Sequence, residues 1–180
     1  LVFNGTIDEY VIDPATAIGP EPLSALTFQN TTGTVTLAGD VGANKRLDAL
    51  TIQGPAQLGL GSSDGAVGIN LEGAAQFDGT VLLDQHTTID SVGGSVMFAG
   101  VVSSNSDGDD EHLTLVTPQG VTQTAAIKVD GLALDTTVEG TLDNGANEIG
   151  ILAAGSSTNR IGALTVVSTG DMAVGSVGGL

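Results

Sequence analysis

The chain has 180 residues, of which 27 are Gly, none is Cys and only 3% are aromatic, and its 4 Lys+Arg stand against 21 Asp+Glu for a formal net charge of −17. Without Cys there is neither a disulfide scaffold nor thiolate-held zinc. With so few cations, nucleic acid and anionic membrane surfaces are poor partners, and no run of about 18 apolar residues provides a transmembrane helix.

In chain order, the first strand-like segment is Leu1-Val-Phe3. Asp8 to Pro22 follows, with Pro14, Pro20 and Pro22, and reads as a loop because Pro cannot donate to a central ladder. Next comes the most informative feature, an Ala-Leu-Thr unit that occurs three times: Leu23-Ser-Ala-Leu-Thr27, Leu47-Asp-Ala-Leu-Thr51 and Ile161-Gly-Ala-Leu-Thr165. Each copy runs into a further β-forming residue, Phe28, Ile52 or Val166. A strand that returns after about 24 residues is the mark of a solenoid, in which each coil stacks on the last.

Between and beyond these copies the apolar and polar residues alternate, as half-buried strands require. Val35 and Leu37 share a face, as do Val96 and Phe98, Leu113 and Leu115, and Leu164 and Val166. With Leu50 and Ile52, these are the expected core. The unbroken runs Thr80-Val-Leu-Leu83 and Ile149-Gly-Ile-Leu-Ala153 suggest strands that turn a corner or are covered on both sides. Gly, Asn, Asp and Ser punctuate the chain every few residues, and no long stretch has a helical apolar period.

We divide the chain into about eight coils: 1–22, 23–46, 47–67, 68–85, 86–112, 113–136, 137–160 and 161–180. At one strand spacing per coil the rod is about 38 Å long. No linker divides it, so the whole of 1–180 is expected to form one all-β domain without substantial helix. Both ends keep the strand rhythm, as cuts through a longer repetitive protein would.

Gly33-Thr-Val-Thr-Leu-Ala-Gly-Asp-Val-Gly42, followed by Arg46-Leu-Asp-Ala-Leu-Thr-Ile-Gln-Gly54, resembles the repeat unit of giant bacterial surface proteins. Phe77-Asp-Gly-Thr-Val-Leu-Leu-Asp84 and the stretch from Thr87 to Val102 fit the same unit. The similarity is to the β-strand-repeat regions of filamentous-haemagglutinin-like adhesins, and it covers most of Leu23 to Leu115. It implies a right-handed parallel β-helix, export to the cell surface or medium, and a role in adhesion or matrix.

Chemistry is sparse. Asn105-Ser-Asp-Gly-Asp-Asp-Glu-His112 is the densest acidic stretch. Asp107, Asp109 and Asp110 around Gly108 are the candidate Ca²⁺ ligands, although the stretch lacks the spacing of an EF-hand or a β-roll repeat. Solvated loop residues are the simpler account of it. His86 and His112 lie outside any zinc motif and read as strand-end surface residues. No nucleophile elbow is present, so no catalytic residue is assigned and the chain is expected not to be an enzyme. A polysaccharide-active β-helix is the remote alternative. Lys45, Arg46 and Arg160 precede the repeated strand and read as turn residues. Asn4-Gly-Thr6 and Asn30-Thr-Thr32 match the glycosylation acceptor only as short motifs.

The expected function is structural: a subunit or stalk of a bacterial extracellular fibre whose uncapped ends stack head to tail. The alternative is a passive stalk of a giant adhesin that binds glycans or a host surface elsewhere. The expected self-association residues are Leu1, Val2 and Phe3 at one end and Val174, Val177 and Leu180 at the other.

Overall fold

The computed structural model describes residues 1–3, 5–7, 25–60, 65–105, 110–138, 140–156, 161 and 163–177. The proline-rich stretch 8–24 lies outside them, as do Asp107 and Asp109. Every described strand pairs in parallel with the equivalent strand one coil away, and no helix occurs among the described residues.

Each coil has three faces. The first carries β2 (Ala25–Phe28), β4 (Ala49–Ile52), β7 (Ala75–Phe77), β10 (Val96–Phe98), β13 (Val121–Gln123), β15 (Gly140–Leu142) and β17 (Leu164–Val166). The second carries β1 (Val2–Phe3), β3 (Val35–Leu37), β5 (Ala56–Leu58), β8 (Val81–Leu83) and β11 (Val102–Ser104). The third carries Ile7 and Val41 as single bridges, then β6 (Ala66–Leu71), β9 (His86–Ser91), β12 (His112–Val116) and, at the far end, β18 (Ala173–Val174). Late in the chain, β14 (Ile127–Asp135) and β16 (Glu148–Ala154) run across the corner and serve the second and third faces in one strand.

The repeated Ala-Leu-Thr is the register signal. Ala25, Leu26, Thr27 and Phe28 lie directly against Ala49, Leu50, Thr51 and Ile52. The third copy occupies the same face at the other end, as β17 against β15. Because side chains alternate, each in-register rung puts like beside like: Ile69 on Ile89 on Leu115, and Leu37 on Leu58 on Leu83. The result is one continuous apolar column from Val35 to Leu152. Its few aromatics also stack, Phe77 on Phe98 with centroids 5.3 Å apart.

Glycine sets one corner. Gly54, Gly79 and Gly100 follow the first-face strand in successive coils, and a Cβ on any of them would overlap backbone of the coil before it. Only a residue without a side chain lets the chain turn inward that closely.

Three expectations need correction. The solenoid has about six turns, not eight. Part of the first expected coil lies outside the described residues, and the last expected coil is only β17 and β18. The expected coil boundaries also fall in the wrong places: Gly68 lies inside β6, and the break before Leu113 falls inside β12. Turn residues mark three corners per coil, and a one-dimensional reading cannot tell which corner opens it. Of the expected core, Val35, Leu37, Leu50, Ile52, Val96, Phe98, Leu113 and Leu115 are buried, whereas Leu164 and Val166 are only half-buried. No described coil lies beyond β17 to cover them.

Gly79→Ala should lower stability by more than about 1 kcal/mol, opposite to the usual gain from replacing a compatible glycine. Phe98→Ala should cost about 3–5 kcal/mol. Denaturant unfolding followed by circular dichroism checks both; no loss in either would mean that the coils do not stack as described.

Candidate functional site

The solenoid presents two unlike kinds of surface, its lateral faces and its ends. At the N-terminal end, β1 and β2 are the terminal strands of their sheets, so one edge of each has no neighbour among the described residues. Phe3, Ile7, Leu26 and Phe28 pack against the core but are only partly buried. The Phe3 and Phe28 rings meet at 5.4 Å. Beside them a cavity of about 290 Å³ opens between Leu1, Phe28, Asn30 and Val35. At the C-terminal end β17 and β18 are the terminal strands, and Ile161, Leu164, Val166 and Met172 are the partly buried residues. Among the described residues the most exposed large apolar side chains are at these two ends: Val174 at 84% and Leu1 at 70%.

Leu1, Val2, Phe3 and Val174 are therefore at the open ends. Val177 is not available there: it is 1% exposed and sits in a small separate cluster with Ala133 and Ala153 of its own chain. Leu180 lies outside the described residues. The two terminal segments also belong to different faces. β1 lies on β3 in the second face, and β18 lies on β16 in the third. A ladder leaving β18 leads to the Ile7 column, not to Leu1–Phe3.

The lateral candidates are modest. Of the proposed Ca²⁺ ligands only Asp110 is described, and it is exposed, while Asp107 and Asp109 lie outside the described residues. Among the described residues no group of three or more His, Cys, Asp or Glu is placed to hold a metal ion. At the end of the Asn105–His112 stretch Glu111 is buried and His112 opens β12, so these two are not solvated loop residues. Next to it a polar groove of about 650 Å³ runs along the second corner, lined by Asn105, Asp130, Asp171 and the Lys128–Glu148 ion pair, whose N–O distance is 2.6 Å.

His86 and His112 are one coil apart, with rings stacked at 4.8 Å. The His112 backbone N–H donates to His86 Nδ1 at 3.1 Å, so that nitrogen carries no proton. Burial and then the neighbouring His86 push the His112 pKa below its ordinary value, against the opposing pull of Asp110 and Asp130. Sequence reading placed both residues at strand ends but had no means of stacking them.

Two polar clasps also escaped the sequence reading. Arg46 pairs with the Asp90 carboxylate and donates to the carbonyls of Leu71 at 3.3 Å and Asp90 at 3.0 Å, so a residue read as a turn cation ties coils together. Asn147 is fully buried. Its side-chain oxygen accepts from Gln123 Nε2 and from the Ile127 N–H, both at 2.8 Å, and the two hydrogens of its amide nitrogen are shared among the Gln123 side-chain oxygen and the carbonyls of Leu142 and Val167. A buried amide that is satisfied in this way costs little and fixes register. The signal available in sequence was Gln123 at the inner position that Phe98 holds one coil earlier.

No family model, curated protein or solved structure matches this chain.

The lowered His112 pKa makes stability depend on pH. The unfolded chain protonates His112 near 6.5, and the folded chain only at lower pH. In that window the unfolded state binds more protons, so stability is complete above it and declines as the pH falls through it. The unfolding midpoint should drop between about pH 7.5 and about pH 5.5, and His112→Gln should flatten the decline. Parallel slopes for the two proteins would show that other groups cause it.

Proposed function

We propose that this chain is a non-catalytic building block of an extracellular or cell-surface fibre, assembled by head-to-tail stacking of solenoid ends. The observation that carries the reading is that both ends leave the apolar column open and ladder edges unpaired among the described residues. Free edges template association, and a joint between unlike ends does not close on itself, so it grows linearly. The composition agrees. A net charge of −17 on a body whose core is aliphatic repels sideways contact and keeps a rod soluble. The resemblance of Gly33–Gly42 and Phe77–Asp84 to the repeats of large exported adhesins supports the same class of role and a bacterial surface or secreted location. Partners on this reading are further copies of the chain or adjacent repeats of the same kind.

The joint should consist of backbone hydrogen bonds and aliphatic packing, and so should resist salt. Electron microscopy and sedimentation of the purified chain should show rods longer than one solenoid, with length changing less than about twofold between low and molar salt. The Gly175 N–H bonds to Leu152 of its own chain, so by alternation the Val174 N–H points to the free edge. Val174→Pro removes that donor and should shorten assemblies at least about tenfold without unfolding the chain. Val92→Asp, on an exposed lateral corner, should leave them unchanged. Single short rods at every concentration would sink the proposal, as would equal loss from both substitutions.

A further inference from the structure

The corner between β15 and β16 reads Asp143-Asn-Gly-Ala-Asn147. The Asn147 N–H donates to the Asn144 C=O at 3.1 Å, which makes 144–147 a four-residue turn with Gly145 and Ala146 at its tip. In an Asn-Gly step the main-chain nitrogen can reach the preceding side-chain carbonyl carbon with no Cβ in the way.

We propose that Asn144 is a self-modification site, converted without an enzyme to Asp or isoaspartate, and that the conversion releases the Asn147 clasp. The Gly145 amide nitrogen gives up its proton to hydroxide and attacks Asn144 Cγ. The N–Cγ bond forms, the Cγ–Nδ2 bond breaks, and Nδ2 takes up a proton and leaves as ammonia. A five-membered succinimide remains. Water then adds to one of its two carbonyls. Opening at Cγ gives Asp, and opening at the main-chain carbonyl carbon gives isoaspartate, whose backbone runs through Cβ and Cγ. Water is the sole co-reactant.

Four observations carry the assignment. Gly145 is exposed, and a Cβ there would meet nothing within 4 Å, so base and water reach the nitrogen. The Gly145 N–H makes no hydrogen bond among the described residues, which leaves its proton open to base. The Ala146 N–H donates to Asn144 Oδ1 at 3.0 Å. That bond folds the side chain back over the Gly145 peptide and stabilises the negative charge that grows on Oδ1 during attack. The leaving nitrogen, finally, is held only by a 3.4 Å bond to the Thr124 C=O. Asn147, three residues on, is fully buried, has both side-chain atoms occupied and precedes Glu148, so the chemistry stays at Asn144.

The consequence follows from what the turn supports. The Asn147 side chain joins Gln123 and Ile127 of the coil before to Leu142 of its own coil and Val167 of the coil after, and its C=O accepts from the Thr169 N–H at 2.7 Å. Isoaspartate lengthens the turn by one backbone carbon and turns the carbonyl that holds the Asn147 N–H into a free carboxylate. The new charge stands beside Asp143 on an already acidic chain. The turn then no longer seats Asn147 against its partners, and the coil that carries β17 loses its hold. The corner is a slow, irreversible clock, and it runs whether or not the chain assembles.

Cleavage after Lys and Arg places Asn144 in the peptide 129–160 and the other Asn-Gly step, at Asn4, in 1–45, so mass spectrometry reads the two apart. Folded protein kept at mildly alkaline pH should release ammonia, and 129–160 should gain about 1 Da at Asn144, faster as the pH rises. Gly145→Ala, whose added methyl meets open space, should fold as the parent does and react at least about tenfold more slowly. In the aged parent the Ile127 N–H should exchange with solvent at least about tenfold faster than in fresh protein, and in equally aged Gly145→Ala it should not. A gain at Asn144 confined to urea-unfolded protein, or an equal rate in Gly145→Ala, would overturn the site. Unchanged exchange at Ile127 after conversion would overturn its link to the clasp.

Discussion

The parallel backbone ladder between successive coils is the constraint on which everything else depends. Each rung fixes the next one directly above it, with no freedom to slip by one residue, because a slip would turn Leu50 and Ile52 outward and Thr51 inward. In-register stacking then makes the core a set of columns. Columns of Val, Leu and Ile need no aromatic filler, which is why a chain with 3% aromatic residues builds a continuous interior. The same constraint places glycine at Gly54, Gly79 and Gly100, where coil backbones approach too closely for a side chain.

A ladder that fixes every internal rung also defines what is missing at its ends. Inside the body the strands are paired on both sides, except that the first-face ladder is interrupted between β13 and β15. At β1, β2, β17 and β18 the ladder among the described residues stops with donors and acceptors in a defined phase and apolar side chains partly covered. The ends therefore carry the same kind of edge as the interior, and on the proposed reading a second copy would meet them by the chemistry that joins coil to coil.

Polar groups reinforce the ladder. Asn147 gathers donors and acceptors from neighbouring coils, and Arg46 ties its corner to Asp90. The stacked His86 and His112 attach a pH dependence to one rung of the third face. The lateral groove beside Asn105 is polar and carries a closed ion pair between Lys128 and Glu148.

The sequence by itself determined the class of the fold. Alternation at Val35–Leu37 and Val96–Phe98, the repeated Ala-Leu-Thr and the punctuation by glycine are local signals, and local signals set strand, turn and repeat. Of the core residues they singled out, Val35, Leu37, Leu50, Ile52, Val96, Phe98, Leu113 and Leu115 are buried, because burial in a strand follows the two-residue period. Only the tertiary structure decided the number of turns, since three corners per coil share one turn chemistry. It alone showed Leu164 and Val166 half-open, because burial there depends on a coil that the described chain does not supply. It also decided which terminal strands share a face, where Val177 packs, and that His86 meets His112 and Gln123 meets Asn147. Each of those contacts joins residues about 20 or more positions apart, and their pairing is set by coil length, which no single strand encodes.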